Sequence, residues 1–275
     1  MNFWRSALEP SNDNIHQSGA SVSVSGASVQ RGRVVALRDV TFELPAGSLT
    51  AVIGPNGAGK SSLFGLLSGR IAPTAGSVHL RGSVAEVLQA TNVDEQLALT
   101  VNDVVRLGRY PSLGLVRRFS DKDRAVINDS LNTVDLAELG GRPFTELSGG
   151  QQQRALLAQG LAQEAPILLL DEPTTGLDVT SQLLVRDVMR AQANAGTTVL
   201  FATHDLTEAA QADFVVVLAC ECICCAPPID ALADASVTAL FGPGPGRIAQ
   251  ADSTGADNAE NAENAENAGQ PLLPR

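Results

Sequence analysis

Gly54-Pro55-Asn56-Gly57-Ala58-Gly59-Lys60-Ser61, followed by Ser62, decides how this 275-residue chain is read. The stretch fits the pattern G-x-x-x-x-G-K-(S/T) at every fixed position. Its flanks are the right ones. Leu49 to Ile53 is a short apolar run of strand type, and Ser61 to Leu67 has helical periodicity, so the loop joins a strand to a helix. Glycines at 54, 57 and 59 let the backbone turn sharply and bring its N–H groups close to a phosphate. A helix starting near Lys60 aims its positive end at the same place. The pattern predicts a nucleotide triphosphatase in which Lys60 reaches the β- and γ-phosphates and Ser61 holds Mg2+.

Composition agrees with a soluble, globular chain. With 44% apolar and 18% charged residues, the chain can bury one sizeable core with a smaller lobe packed on it. No apolar run approaches the ~18 residues of a membrane-spanning helix, and Met1 to Ser6 lacks the apolar core of a signal peptide, which predicts a cytoplasmic location. A net charge of −11 argues against nucleic acid as a partner. All four cysteines fall between 220 and 225, which is no disulfide framework.

Working outward, residues 1–20 are rich in Ser, Asn and Gln and predict a mobile leader before a domain over 21–241. Val22, Val24 and Val29, then Val35 to Leu44, predict an antiparallel lead-in, and Ser77 to Leu80 and Ser83 to Leu88 predict two more strands. From about 91 to 165 the character is helical: Thr100 can cap one helix, and Ser120 with Asp123 resembles a capping box for another. This α-helical subdomain contains a loop over Gly108 to Val116 that is unusually apolar, which suits either internal packing or an edge where another protein docks. Strands at Ile167–Leu170, Thr197–Ala202 and Phe214–Leu218, alternating with helices over 178–195 and 205–212, predict an α/β fold: a P-loop (RecA-like) three-layer core. Residues 242–275 end in an Asn-Ala-Glu repeat and read as a disordered acidic tail.

Asp171 and Glu172 close the Ile167–Leu170 strand at its carboxyl end, where ligands of open α/β sheets gather. Adjacent strand residues point to opposite sides, so Asp171 can help hold Mg2+ while Glu172 acts as general base on the attacking water. A second phosphate-accepting helix end is spelled by Leu147-Ser148-Gly149-Gly150-Gln151-Gln152-Gln153-Arg154.

Over about residues 21 to 240 the sequence resembles the ATP-binding cassette (ABC) ATPases. That resemblance implies ATP and Mg2+ as cofactors and a homodimer in which Ser148, Gly149, Gly150 and Gln151 of one subunit close over the γ-phosphate held by the other's loop. It implies that Gln89 links nucleotide and Mg2+ to the helical lobe, that Asp178 lies in the loop facing the partner site, and that His204 contacts the γ-phosphate. It also implies a separate membrane permease docking near Leu107–Val116, which would hold the chain on the inner face of the membrane, and an extracytoplasmic solute-binding protein. Leu107 to Asp121 is similar to subunits of zinc and manganese importers, with iron-siderophore and haem importers sharing much of the stretch and non-transport ABC ATPases the remaining alternative. Two departures stand out. Arg31 occupies the place of the family's adenine-stacking aromatic, and Cys220-Glu221-Cys222-Ile223-Cys224-Cys225 replaces a glycine turn. On an extended strand Cys220, Cys222 and Cys224 would share one face ~7 Å apart, too far to surround a metal, so the cysteines read as small apolar residues.

Overall fold

A computed structural model describes residues 20–88, 99–113 and 118–233. The expected leader up to residue 19, Gln89, the last part of the docking loop and the acidic tail lie outside the described residues. In chain order the elements are β1 (Ala20–Arg31), β2 (Val34–Pro45), β3 (Leu49–Ile53), α1 (Lys60–Leu67), β4 (Ala75–Leu80) and β5 (Val84–Val87). Then come α2 (Val101–Leu107), α3 (Tyr110–Leu113), α4 (Asp121–Thr133) and α5 (Gly149–Leu161). The remainder is β6 (Ile167–Asp171), α6 (Val179–Asn194), β7 (Thr198–Ala202), α7 (Leu206–Ala209), β8 (Phe214–Leu218), β9 (Cys222–Ala226) and α8 (Pro228–Ala231).

Six strands form the central sheet in the order β5-β6-β7-β3-β8-β9, parallel except for β9. All residues of β3 and β7 are buried, as both-face burial of a parallel sheet requires. Side-chain alternation then builds two cores. Leu168 and Leu170 pack with Val105, Leu131 and Leu157 on the helical side. Ile167 and Leu169 join Val22, Leu37, Phe42, Phe64 and Leu67 on the other side, where the antiparallel sheet β2-β1-β4 and α1 lie.

The helical lobe begins its helices where the caps place them. Thr100 and Ser120 each accept the N–H of an aspartate three residues on, Asp103 and Asp123, whose carboxylates accept the cap residue's own N–H. Hydrogen bonds from Ser120, with help from Arg109, hold the Asp123 carboxyl at about 2.

Two expectations need correction. Gly108–Val116 is not simply a loop: Tyr110–Leu113 forms a helical turn, with Pro111 early in it where a missing N–H is tolerated. Leu113 turns inward, while Leu107 and Tyr110 stay exposed. Nor do Cys220, Cys222 and Cys224 share a face. Cys220 precedes the strand with φ +64, and a bulge between Val217 and Leu218 shifts the register of β9, so Cys222 and Cys225 pack on one core and Cys224 on the other.

Candidate functional site

Strand register assembles the site. Val52 pairs with Ala202, and Ala202 with Asp171, so the carboxyl ends of β3, β7 and β6 lie side by side. Two residues past Val52 the glycine loop starts, one residue past Asp171 is Glu172, and two past Ala202 is His204. Sequence positions 54, 172 and 204 thus converge at one end of the sheet.

The loop itself is shaped for an anion. Gly57 and Gly59 have φ +82 and +101, and a Cβ on Gly57 would meet nothing within 4 Å. Helices α2, α4, α5 and α6 all start with a side-chain cap, whereas α1 starts at Gly59 with none. Among the described residues, the N–H groups of Gly57, Gly59, Lys60 and Ser61 have no protein acceptor. A helix start whose donors are left over, next to a buried lysine, fits a polyphosphate. Lys60 Nζ donates to the carbonyls of Gly54 at 2.6 Å and Pro55 at 3.3 Å, so the ammonium crosses the loop mouth.

Ser61 Oγ donates to Asp171 Oδ2 at 3.3 Å, which joins loop and β6 across 110 residues. Burial pushes the Asp171 carboxyl up; the Ser61 hydrogen bond opposes this, and the charges of Glu172 and Glu86 add to it. A divalent cation would relieve that cost, so the donor set fits Mg2+. Among the described residues no three His, Cys, Asp or Glu side chains converge, so a cation here would rely on Ser61, Asp171 and phosphate oxygens, the usual environment of Mg2+.

Glu172 departs from simple strand alternation. Its φ is +47, a left-handed conformation for a residue with a Cβ, and its Oε2 accepts from Thr175 Oγ1 at 3.2 Å. The kink, rather than the pleat, separates the two carboxylates. His204 follows buried Thr203 and is itself exposed.

The second helix end lies on another part of the molecule. Ser148 Oγ accepts from Gln151 N–H at 3.3 Å and Gln151 Oε1 accepts from Ser148 N–H at 3.0 Å, a closed capping box. A Cβ on Gly149 would meet nothing, while one on Gly150 would lie 3.0 Å from Ser181 Oγ and 3.4 Å from Asp178 Oδ2. Asp178 caps α6 by accepting from Ser181 N–H and Oγ at 2.9 and 2.8 Å, bonds that hold its carboxyl below the usual range. So Ser148 and Asp178 form one exposed edge. α5 packs on α2, α4, α6 and β5, whereas α1 packs on β2, β4 and β6.

Residue type alone signalled neither the Glu172 kink nor the support beneath the loop. Cys220 donates its N–H to Ala58 O at 2.9 Å and its thiol to Gly57 O at 3.8 Å, and Leu218 O lies against Gly54. Arg31 ends β1 opposite Val34 at an exposed hairpin.

A parallel sheet that ends in this loop, flanked by a strand ending in acidic residues, defines a P-loop nucleotide-binding protein. The family model described as ABC transporter matches residues 37–175, and the chain belongs to that family. It is an ATP-hydrolysing cassette. The chain is 40% identical over 196 residues to the manganese transport system ATP-binding protein MntA of Synechocystis sp., covering 67% of this chain and 75% of the relative. It is also 40% identical over 208 residues to the hemin import ATP-binding protein HmuV of Streptomyces coelicolor, covering 71% and 74%. Among solved structures, a metal-chelate type ABC transporter in an inward-facing conformation superposes with a TM-score of 0.75 at 30% identity, over 81% of this chain and 89% of that one.

Proposed function

We propose that the chain is the ATPase subunit of an importer, that it works as a head-to-tail homodimer, and that the solute is a metal ion, manganese or zinc. The observation that carries the dimer is the pairing of an uncapped, donor-rich loop at α1 with an exposed Ser148–Asp178 edge whose helices pack on different elements. Each fits one side of a triphosphate, and a second copy brings the two together. In this reading Gly54 to Ser62 hold the phosphates, Ser61, Asp171 and Gln89 hold Mg2+, and Ser148 to Gln151 with Asp178 close the site from the partner. Glu172 takes a proton from the attacking water and His204 steadies the γ-phosphate side.

Among the described residues no helix is long and apolar enough to cross a membrane, and in this reading the solute passes through a separate permease. Its docking surface is proposed at the helical lobe. There Leu107 and Tyr110 are 43% and 54% exposed, Tyr110 packs edge-on against Phe119 at 5.7 Å, and the Arg106 guanidinium lies 4.9 Å from the Phe119 ring centre. Tyr, Arg and apolar neighbours on an exposed face are the composition of an interface anchor. The manganese relative supports a metal ion as solute; the haem relative, at equal identity, supports haem as the second reading. Uptake of manganese, zinc and haem by cells with and without the chain separates them. Loss of manganese or zinc uptake is expected, and loss of haem uptake alone would refute the metal-ion reading.

A further inference from the structure

We infer that Glu208 is a positioning residue for hydrolysis, a buried carboxylate that fixes the loop carrying Glu172 relative to the loop carrying His204. It rests on the roles proposed for those two residues. Glu208 lies on α7 and is 3% exposed. Its Oε2 accepts two hydroxyls, Thr203 Oγ1 at 2.6 Å and Thr174 Oγ1 at 3.1 Å, and its Oε1 accepts Arg186 Nε at 3.3 Å from α6. Thr203 immediately precedes His204, Thr174 follows Glu172 by two residues, and Arg186 lies on the helix that Asp178 caps.

The arrangement forms a continuous path. Thr203 N–H donates to Val52 O at 3.1 Å, so the end of β3 is tied to Thr203, Thr203 to Glu208, and Glu208 to Thr174. Thr174 and Thr203 are 7% and 3% exposed, so their hydroxyls depend on protein partners: both donate to Glu208, and Thr203 Oγ1 also accepts the Asp205 N–H at 3.1 Å. The residues they flank are held less firmly: His204 is exposed, and the Glu172 side chain has the Thr175 hydroxyl as its partner. An acid buried this deeply is retained where its full set of partners specifies an arrangement. Here the arrangement is the separation of two loops whose tips meet the same phosphate, where a displacement of about 1 Å lowers turnover by about 10².

A plain ion pair between Glu208 and Arg186 would make different predictions from a bridge between two threonines. In Glu208→Gln the amide oxygen can still accept both hydroxyls while the ion pair is lost. In Thr174→Val and Thr203→Val the ion pair survives while one half of the bridge is lost; Thr203→Val also removes the acceptor of the Asp205 N–H, so Thr174→Val isolates the bridge. The test is steady-state ATPase activity and nucleotide-analogue affinity of these variants and Glu208→Ala in the full chain, each also combined with Glu172→Gln. The bridge predicts that Glu208→Ala lowers kcat by about 10² with affinity within about twofold, and that Glu208→Gln recovers to within about threefold of wild type. Each valine variant should lower kcat by about tenfold, and none should slow the Glu172→Gln background further. Should Glu208→Ala not fold, the valine variants decide. Silent valine variants, a Glu208→Gln as impaired as Glu208→Ala, or losses in affinity rather than kcat would overturn the inference. Failure of the underlying reading is seen separately, as near-normal turnover by Glu172→Gln alone.

Discussion

Replacing Gly59 with alanine should damage the protein in a way that replacing Gly57 does not, although both glycines belong to the same loop. A Cβ on Gly59 would lie 2.5 Å from Ala36 O and 2.7 Å from Leu37 Cδ2, and Leu37 is fully buried. The contact must open from 2.5 Å to the 3.4 Å where ordinary packing begins, roughly 1 Å of movement by a β2 backbone that is tied into its sheet. Overpacking of this kind costs about 1–3 kcal/mol, and the φ of +101 adds about 1–3 kcal/mol of backbone strain. The combined ~2–6 kcal/mol is a large part of the ~5–15 kcal/mol that stabilises a domain. A Cβ on Gly57 meets nothing within 4 Å, so Gly57→Ala carries only the backbone part, about 1–3 kcal/mol, from its φ of +82. Urea unfolding should therefore place Gly59→Ala below Gly57→Ala by about 1–3 kcal/mol. Nucleotide affinity should fall in both, in Gly57→Ala because the new methyl projects into the open side of the loop. Equal stabilities for the two variants, or a more stable Gly59→Ala, would refute the claim that β2 supports the loop from below.

Asp171→Asn should abolish Mg2+-dependent hydrolysis yet stabilise the fold at pH 7. Burial raises the Asp171 carboxyl in the folded state, so wild-type stability is fullest below the unfolded value of 3.8 and declines as pH rises through the folded pKa. The advantage of Asn should accordingly vanish below about pH 4, and a stability difference independent of pH would contradict this origin. Burial also pushes the Cys222 and Cys225 thiols up, to about 12 and about 11. Both should resist iodoacetamide at pH 8 until the chain is unfolded, as peptide mass spectrometry can read; rapid labelling of the native protein would show the β9 register to be wrong.

The sequence was most informative where function is written in consecutive residues. The Gly54–Ser61 loop, the Ser148 helix start and the Thr100 and Ser120 caps each depend on spacings of eight residues or fewer, and each lies where the pattern indicates. Less legible were features set by tertiary contact. Glu172 adopts φ +47 although nothing in its residue type favours that, because strain is sustained by the surrounding packing. Cys220 touches Gly57 across 163 positions, and the β9 bulge that separates Cys222 from Cys224 depends on β8. Nothing in the sequence marks Glu208 within the helix over 205–212; its burial becomes visible only when Thr174 and Thr203 are placed beside it. The turn at Tyr110–Leu113 is hard to read from sequence because Gly and Pro flank loops as readily as helix ends, and Pro is equally at home in a first helical turn.

The composite site between two copies is tested most directly by mixing two inactive variants. Lys60→Ala damages the loop side and Ser148→Arg the partner side, so a dimer containing one of each has one intact site and one doubly damaged site. ATPase activity should return on mixing and rise with the fraction of heterodimer isolated through two different affinity tags. A purified heterodimer as inactive as either variant alone would contradict the shared site.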